Sequence, residues 1–304
     1  MRINADFDQR IVIRPGDTDW VPSPIAGVER QMLDRIGGEV ARATSLVRYA
    51  PNSYFSAHSH SGGEEFLVLD GVFSDEHGDY SAGTYVRNPI GSSHTPHSKD
   101  GCTIFVKLHQ FDPRDTEQKF VRTRDQSFLP GLIEGLSVLP LHEFEGEHAA
   151  LVRWEPGTRF HRHRHWGGEE ILVLEGMFED EHGRYPAGSW LRSPHGSEHT
   201  PFSTAGCLIF VKTGHLGVDA ENPLRSLRRA ASSTSNRFPT PPLRAARPLT
   251  GSLRPLPFPP TGCTAGRITP HSFQHNKKLT RRAPAKLLFL VLSAAFPRRT
   301  MPRG

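Results

Sequence analysis

Cysteine is scarce: there are 3 in 304 residues, and Cys102, Cys207 and Cys263 form no Cys-x-x-Cys pair. That argues against a disulfide framework and a thiolate zinc site, and it fits a reducing, cytoplasmic setting. Long apolar runs are missing too. The longest, residues 287–296, is far shorter than the roughly 20 residues of a membrane helix, so no membrane partner is expected. Residues 1–20 mix acids and bases without an apolar stretch, which predicts no signal peptide. Acids are nearly absent from the last part of the chain. Residues 219–304 hold 2 Asp/Glu against 16 Lys/Arg, leaving 30 acidic and 21 basic residues before them. The net charge of +5 is therefore a body of about −9 joined to a tail of about +14. It gives no reason to expect the body to bind nucleic acid. The same tail holds 13 of the 26 prolines and sustains no helix or strand period, so residues 217–304 are expected to be a disordered basic tail.

What is present is dominated by an internal repeat. Residue n matches residue n + 105, and between residues 58–107 and 163–212 no gap is needed and 32 of 50 positions are identical. One structural unit therefore occurs twice. Within each unit, short apolar runs end in glycine: Glu65 to Gly71 reads EFLVLDG, and Glu170 to Gly176 reads EILVLEG. Runs this short, with a Gly stop, favour strands over helices. Asp75-Glu76-His77-Gly78 and Asp180-Glu181-His182-Gly183 have hairpin-turn chemistry. The runs starting at Cys102 and Cys207 read as further strands. One short helix is expected around residues 27–37. The pattern as a whole predicts an all-β barrel or sandwich in each unit.

Four residue types recur at fixed spacing: His58, His60, Glu64 and His94 in the first unit, and His163, His165, Glu169 and His199 in the second. Residues i and i+2 of a strand share a face, so each His-x-His pair can point into one barrel. The Gly-Gly that follows can turn the chain to bring the glutamate in. The last histidine arrives after a Pro-x-Gly turn, Pro89-Ile90-Gly91 or Pro194-His195-Gly196. Imidazoles with one carboxylate suit Fe²⁺, Mn²⁺, Ni²⁺, Zn²⁺ or Cu²⁺. An octahedral ion with four protein ligands keeps about two positions for water, substrate or O₂. A tetrahedral zinc would be closed, as in structural or sensory sites. Glu65 and Glu170 are rival ligands, because Glu-Glu occurs in both units.

At these residues the sequence resembles the cupin superfamily. Its first motif, H-x-H-x3-E-x6-G, is matched by His58, His60, Glu64 and Gly71 and again by His163, His165, Glu169 and Gly176. Its second, G-x5-P-x-G-x2-H, is matched by Gly83, Pro89, Gly91 and His94 and by Gly188, Pro194, Gly196 and His199. Ser98 and Ser203 stand where an Asn often ends that motif. The stretches GGEEFLVLDGVFSDEHGDYSAGTYVRNPIGSSHTPHS and GGEEILVLEGMFEDEHGRYPAGSWLRSPHGSEHTPFS are similar more narrowly to the ChrR-like cupin family.

The resemblance implies two tandem double-stranded β-helix (jelly-roll) barrels, residues 1–115 and 116–216, each binding one divalent metal, Fe²⁺ or Zn²⁺, with Mn²⁺ and Ni²⁺ as alternatives. It selects Glu64 and Glu169 over their neighbours. The implied function is a non-haem metal-dependent oxygenase of a small diketone or phenolic ketone. A non-catalytic metal or small-molecule sensor is the alternative, and a metal-dependent isomerase is third. Residues 1–50 contain no Cys and no His, so the separate zinc domain that grips a sigma factor in the anti-sigma relatives is not supported. A small-molecule partner is expected, a homo-oligomer is compatible with the sequence, and no catalytic acid, base or nucleophile is assigned.

Other paired residues carry two readings each. Arg87 and Arg192 hold either a substrate anion or an ion pair, and Arg48 and Arg153 carry the same alternative. Trp166, Trp190, Tyr85 and Phe160 line pockets or fill cores. His77 and His182 are expected in exposed turns, and Cys102 and Cys207 in buried packing. The run His161-Arg162-His163-Arg164-His165 predicts a more positive second site than the first.

Overall fold

A computed structural model describes residues 1–217. The expected disordered tail lies outside the described residues apart from its first residue. Among the described residues there are strands and one short 3₁₀ turn, Thr123–Asp125, and no helix is long and apolar enough to cross a membrane.

The all-β expectation holds, with one barrel per repeat. In the first, the strands Val28–Gly37, Ala41–Tyr49, Cys102–Leu108, Glu64–Asp75 and Thr84–Asn88 pair in that order. In the second, Leu136–Phe144, Glu147–Trp154, Cys207–Thr213, Glu169–Asp180 and Trp190–Ser193 pair in the same order. The registers agree as well: Cys102 lies opposite Tyr49, and Cys207 opposite Trp154. The two DEHG segments close hairpins, pairing Asp75 with Gly78 and Asp180 with Gly183.

The ends of the sheets are exchanged. Ile11–Ile13 pairs with Trp190–Ser193 of the second barrel, and Lys119–Arg122, which follows the first barrel in sequence, returns to pair with Thr84–Asn88. Each barrel is thus finished by a strand from the segment that leads into the other.

Period-two alternation explains the cores. Along Glu64–Asp75, Phe66 and Val68 point into the first barrel, while Leu67 and Leu69 face the second. Ile171 and Val173 fill the second barrel, and Leu172 and Leu174 join the layer between the two. That shared layer also takes Tyr85, Phe105, Trp190 and Phe210.

The helix expected around residues 27–37 is instead the strand Val28–Gly37. Its Arg, Gln, Met and Leu suit a helix locally. Ladders to Val21–Pro22 on one side and Ala41–Tyr49 on the other override that preference.

The glycine ending each long apolar run is required by geometry. Gly176 has φ +73°, and a Cβ there would stand 2.1 Å from the carbonyl oxygen of Gly206. Gly176→Ala is expected to lower stability by about 3 kcal/mol through left-handed strain and backbone overlap, read as a fall in the urea midpoint.

Candidate metal centres

Short strands place the ligands. His58–Ser59 pairs with Ser93–His94 so that His58 lies opposite His94, and His163–Arg164 pairs with Glu198–His199 so that His163 lies opposite His199. His60 and His165 follow at the i+2 position. Glu64 and Glu169 begin the long strands and point inward with Phe66 and Ile171. One ligand atom from each of His58, His60, Glu64 and His94 lies within 4.8 Å of the others, and the same holds for His163, His165, Glu169 and His199.

The donor set fits a divalent ion. Glu64 Oε2 lies 3.5 Å from His60 Nε2 and 3.6 Å from His94 Nε2, and Glu169 Oε2 lies 3.6 Å from both His165 Nε2 and His199 Nε2. Adjacent ligands of an ion held at about 2.1 Å stand about 3 Å apart, so small adjustments suffice. Among the described residues the buried Nε2 atoms of His60, His94 and His199 have no hydrogen-bond partner, although such atoms normally find one. The opposite ring edges are held. His94 Nδ1 meets Asp75 Oδ2 at 3.1 Å, and His199 Nδ1 faces Asp180 Oδ2 at 3.5 Å. His58 and His163 turn Nδ1 to the carbonyls of Ser56 and His161, at 2.9 and 3.1 Å. His165 Nδ1 meets Ser197 Oγ at 3.1 Å, and Asn88 Nδ2 donates to Glu64 Oε2 at 3.0 Å. A donor at Nδ1 leaves the Nε2 lone pair facing the centre, the usual orientation of a metal-binding histidine.

Burial disfavours the charged form of three of the six rings. Burial lowers the His60 pKa, pulls His163 down to about 4 and His165 down to about 3. His94 is raised: burial opposes its charge, but the Asp75 hydrogen bond and the charges of Glu64 and Asp75 outweigh that. In metal-free protein the unfolded chain therefore takes up protons below about pH 6.5 that the folded His163 and His165 refuse. Stability is expected to fall as pH drops below about 6.5, by about 1.4 kcal/mol per unit for each ring, down to about pH 4 for His163 and about pH 3 for His165, with His94 opposing in part. Urea midpoints of chelator-treated protein at pH 7.5, 5.5 and 4.5 measure this. A midpoint unchanged across that range would contradict it.

The rival carboxylates go elsewhere. Glu65 and Glu170 face the layer between the barrels, one residue out of phase with the ligands. Lys212 and Arg87 hold Glu65, and Tyr85 donates to it at 2.7 Å. Lys107 holds Glu170 at 2.6 Å, with Trp190 donating at 2.9 Å. Arg87 also pairs with Asp115, and Arg192 with Asp34 at 3.1 Å, so both arginines serve buried ion pairs rather than a metal-bound anion. Tyr85 and Trp190 belong to that layer, whereas Phe160 sets its edge against His163 at 5.2 Å. Trp166 is exposed and lies beside Arg164. Arg48 pairs with Glu29 and Arg153 with Glu175 at the surface.

Of the run expected to make the second site more positive, Arg162 and Arg164 turn outward onto Glu198, Arg162 at 2.6 Å, so one acid offsets part of their charge. Ser98 and Ser203, in place of the motif's Asn, donate to the Val72 and Met177 carbonyls at 2.6 Å. His77 and His182 are exposed, and burial pushes the Cys102 and Cys207 thiols up to about 11. Asp75 and Asp180, which steady the last histidine of each site, have only turn chemistry in the sequence reading. Their recurrence in both DEHG segments was the available signal.

Residues 8–112 and 116–217 each match the family model described as ChrR Cupin-like domain. No curated protein matches the sequence. Among solved structures, the chain is similar to a "putative dioxygenase" from Nostoc punctiforme, with TM-score 0.58, 15% identity, and 72% of this chain and 90% of that one covered. It is also similar to protein Ylba from E. coli, with TM-score 0.54, 15% identity, and 70% and 94% covered. At this identity the likeness concerns the fold.

Proposed function

The chain belongs to the ChrR cupin-like family, and from that premise we propose that it is a metal-dependent oxygenase of a small diketone or phenolic ketone. One observation carries the reading. The first barrel holds a cavity of about 320 Å³ whose wall includes His58, His60 and Glu64, with Val47, Phe55, Phe73, Ile104 and Val106 around them. That size lies near the lower end of small-molecule pockets, about 300–1,000 Å³, and the ligand cluster opens into it.

The residues divide the work. His58, His60, His94 and Glu64 would hold one divalent ion, and His163, His165, Glu169 and His199 a second. Such an ion supplies Lewis acidity toward a substrate's oxygens and, if ferrous, activation of O₂. Asp75 keeps the His94 ring in the orientation that presents Nε2. The apolar wall excludes water and packs against the carbon skeleton. The dioxygenase label of the Nostoc structure agrees with this reading.

The test is metal analysis of protein purified without oxygen, followed by O₂-uptake assays with 2,4-pentanedione and 2-hydroxyacetophenone. Iron-dependent uptake is expected. Zinc in both sites with no uptake would overturn the oxygenase and favour the non-catalytic sensor.

A further inference from the structure

The wall of the first-barrel cavity is not apolar throughout. Arg35, only 4% exposed, reaches it from the strand Val28–Gly37. Its guanidinium donates to main-chain carbonyls alone: Nε to Gly38 O at 3.0 Å, and Nη2 to the same oxygen and to Glu39 O at 3.2 Å. Nη1 makes none of these bonds. Among the described residues no carboxylate lies within 4.0 Å of Arg35, whereas the other deeply buried arginines, Arg42, Arg87 and Arg192, each meet an acid. A buried cation with no acid in ion-pair reach is costly, and the charge of Glu39 acts on Arg35 only from beyond that distance. Glu39, on the adjoining turn, is engaged by Arg30 at 3.1 Å and its side chain is 68% exposed. Arg30 also borders the cavity, so its wall holds two arginines against one outward glutamate.

The second barrel lacks this arrangement. Arg35 lies opposite Ala43, and Glu143 lies opposite His148; positions 43 and 148 are equivalent in the repeat. Likewise Arg30 lies opposite Val47, and Val138 opposite the equivalent Val152. The second barrel thus has an acid where the first has Arg35, and a valine where the first has Arg30.

We infer that the first barrel, and not the second, takes an organic anion: a small molecule whose carbonyl or hydroxyl oxygens reach the histidine–glutamate cluster and whose carboxylate pairs with Arg35. The planar guanidinium is suited to a carboxylate, and its anchoring to Gly38 and Glu39 fixes its direction beforehand. The inference rests on the first barrel being the ligand site. It narrows the substrate class to diketones or phenolic ketones bearing a carboxylate.

The test compares 4,6-dioxoheptanoate, a diketone with a terminal carboxylate, with uncharged 2,4-heptanedione. Calorimetry is run without oxygen on full-length protein, both metal-free and iron-loaded. One molecule of the anion is expected per chain, bound at least about tenfold tighter than the neutral diketone, with the preference kept in the metal-free protein. Arg35→Gln is expected to erase the preference while both metal equivalents remain, and Arg35→Lys to restore part of it. Equal binding of the two compounds by the native protein, two anions per chain, or a preference that survives Arg35→Gln would overturn the inference. Should Arg35→Gln not fold, the native ratio and stoichiometry decide alone. Anion preference without O₂ uptake would sink the oxygenase and leave this site standing.

Discussion

Lys107→Met is expected to lower the unfolding free energy by about 3–5 kcal/mol, the usual loss when one member of a buried ion pair is removed. Lys107 and Glu170 are fully buried between the barrels, with Lys107 Nζ 2.6 Å from Glu170 Oε2 and 3.0 Å from Thr44 Oγ1. Burial alone would raise the Glu170 carboxyl; Lys107 and the nearby His215 overcome that and hold it well below the ordinary carboxylate range. With a thioether in place of the ammonium, the fully buried carboxylate keeps Trp190 and His215 as its hydrogen-bond partners among the described residues. Adding Glu170→Gln to Lys107→Met is expected to recover most of the loss, since the stranded charge disappears. Urea denaturation of the two single variants and the double variant measures the coupling. A single-variant loss below about 1 kcal/mol would show that water reaches the pair and that the layer between the barrels is not closed.

The second large effect concerns metal content. Native protein is expected to carry two equivalents of divalent metal. His94→Ala and His199→Ala are each expected to lose one equivalent, and the double variant both. Removing even a residue that only orients a ligand commonly lowers affinity about 10–100-fold, so removing a ligand is expected to exceed about 100-fold. The sites lie in different barrels and share no side chain, so the losses are expected to add. Elemental analysis after dialysis reads this directly. Loss of both ions from either single variant would mean that the two sites are not independent.

The metal clusters were legible because their ligands lie close together in sequence and occur twice. His58, His60 and Glu64 span seven positions, and strand periodicity converts that spacing into a shared direction. The same rule, without a known phase, could not separate Glu64 from Glu65, because both are buried and charged. The structure supplies the phase: Phe66 belongs to the barrel interior and Leu67 to the layer between barrels, so Glu64 follows the first and Glu65 the second. The partners of Arg87 and Arg192 were not legible. Asp34 lies 158 residues from Arg192, and no local pattern records so distant a pairing. The strand Val28–Gly37 looks helical locally for a related reason, since its neighbours in the sheet decide its conformation. Arg35 carried no signal at all: one arginine among many is distinguished only by the acid it does not meet.

The traded end strands make the linker between the repeats a poor place to cut. A fragment stopping near residue 112 would contain Ile11–Ile13, which has no seat in its own barrel, and would lack Lys119–Arg122, which has one. Its sheet would end on bare main-chain amides and carbonyls beside half of an apolar layer, a surface prone to self-association.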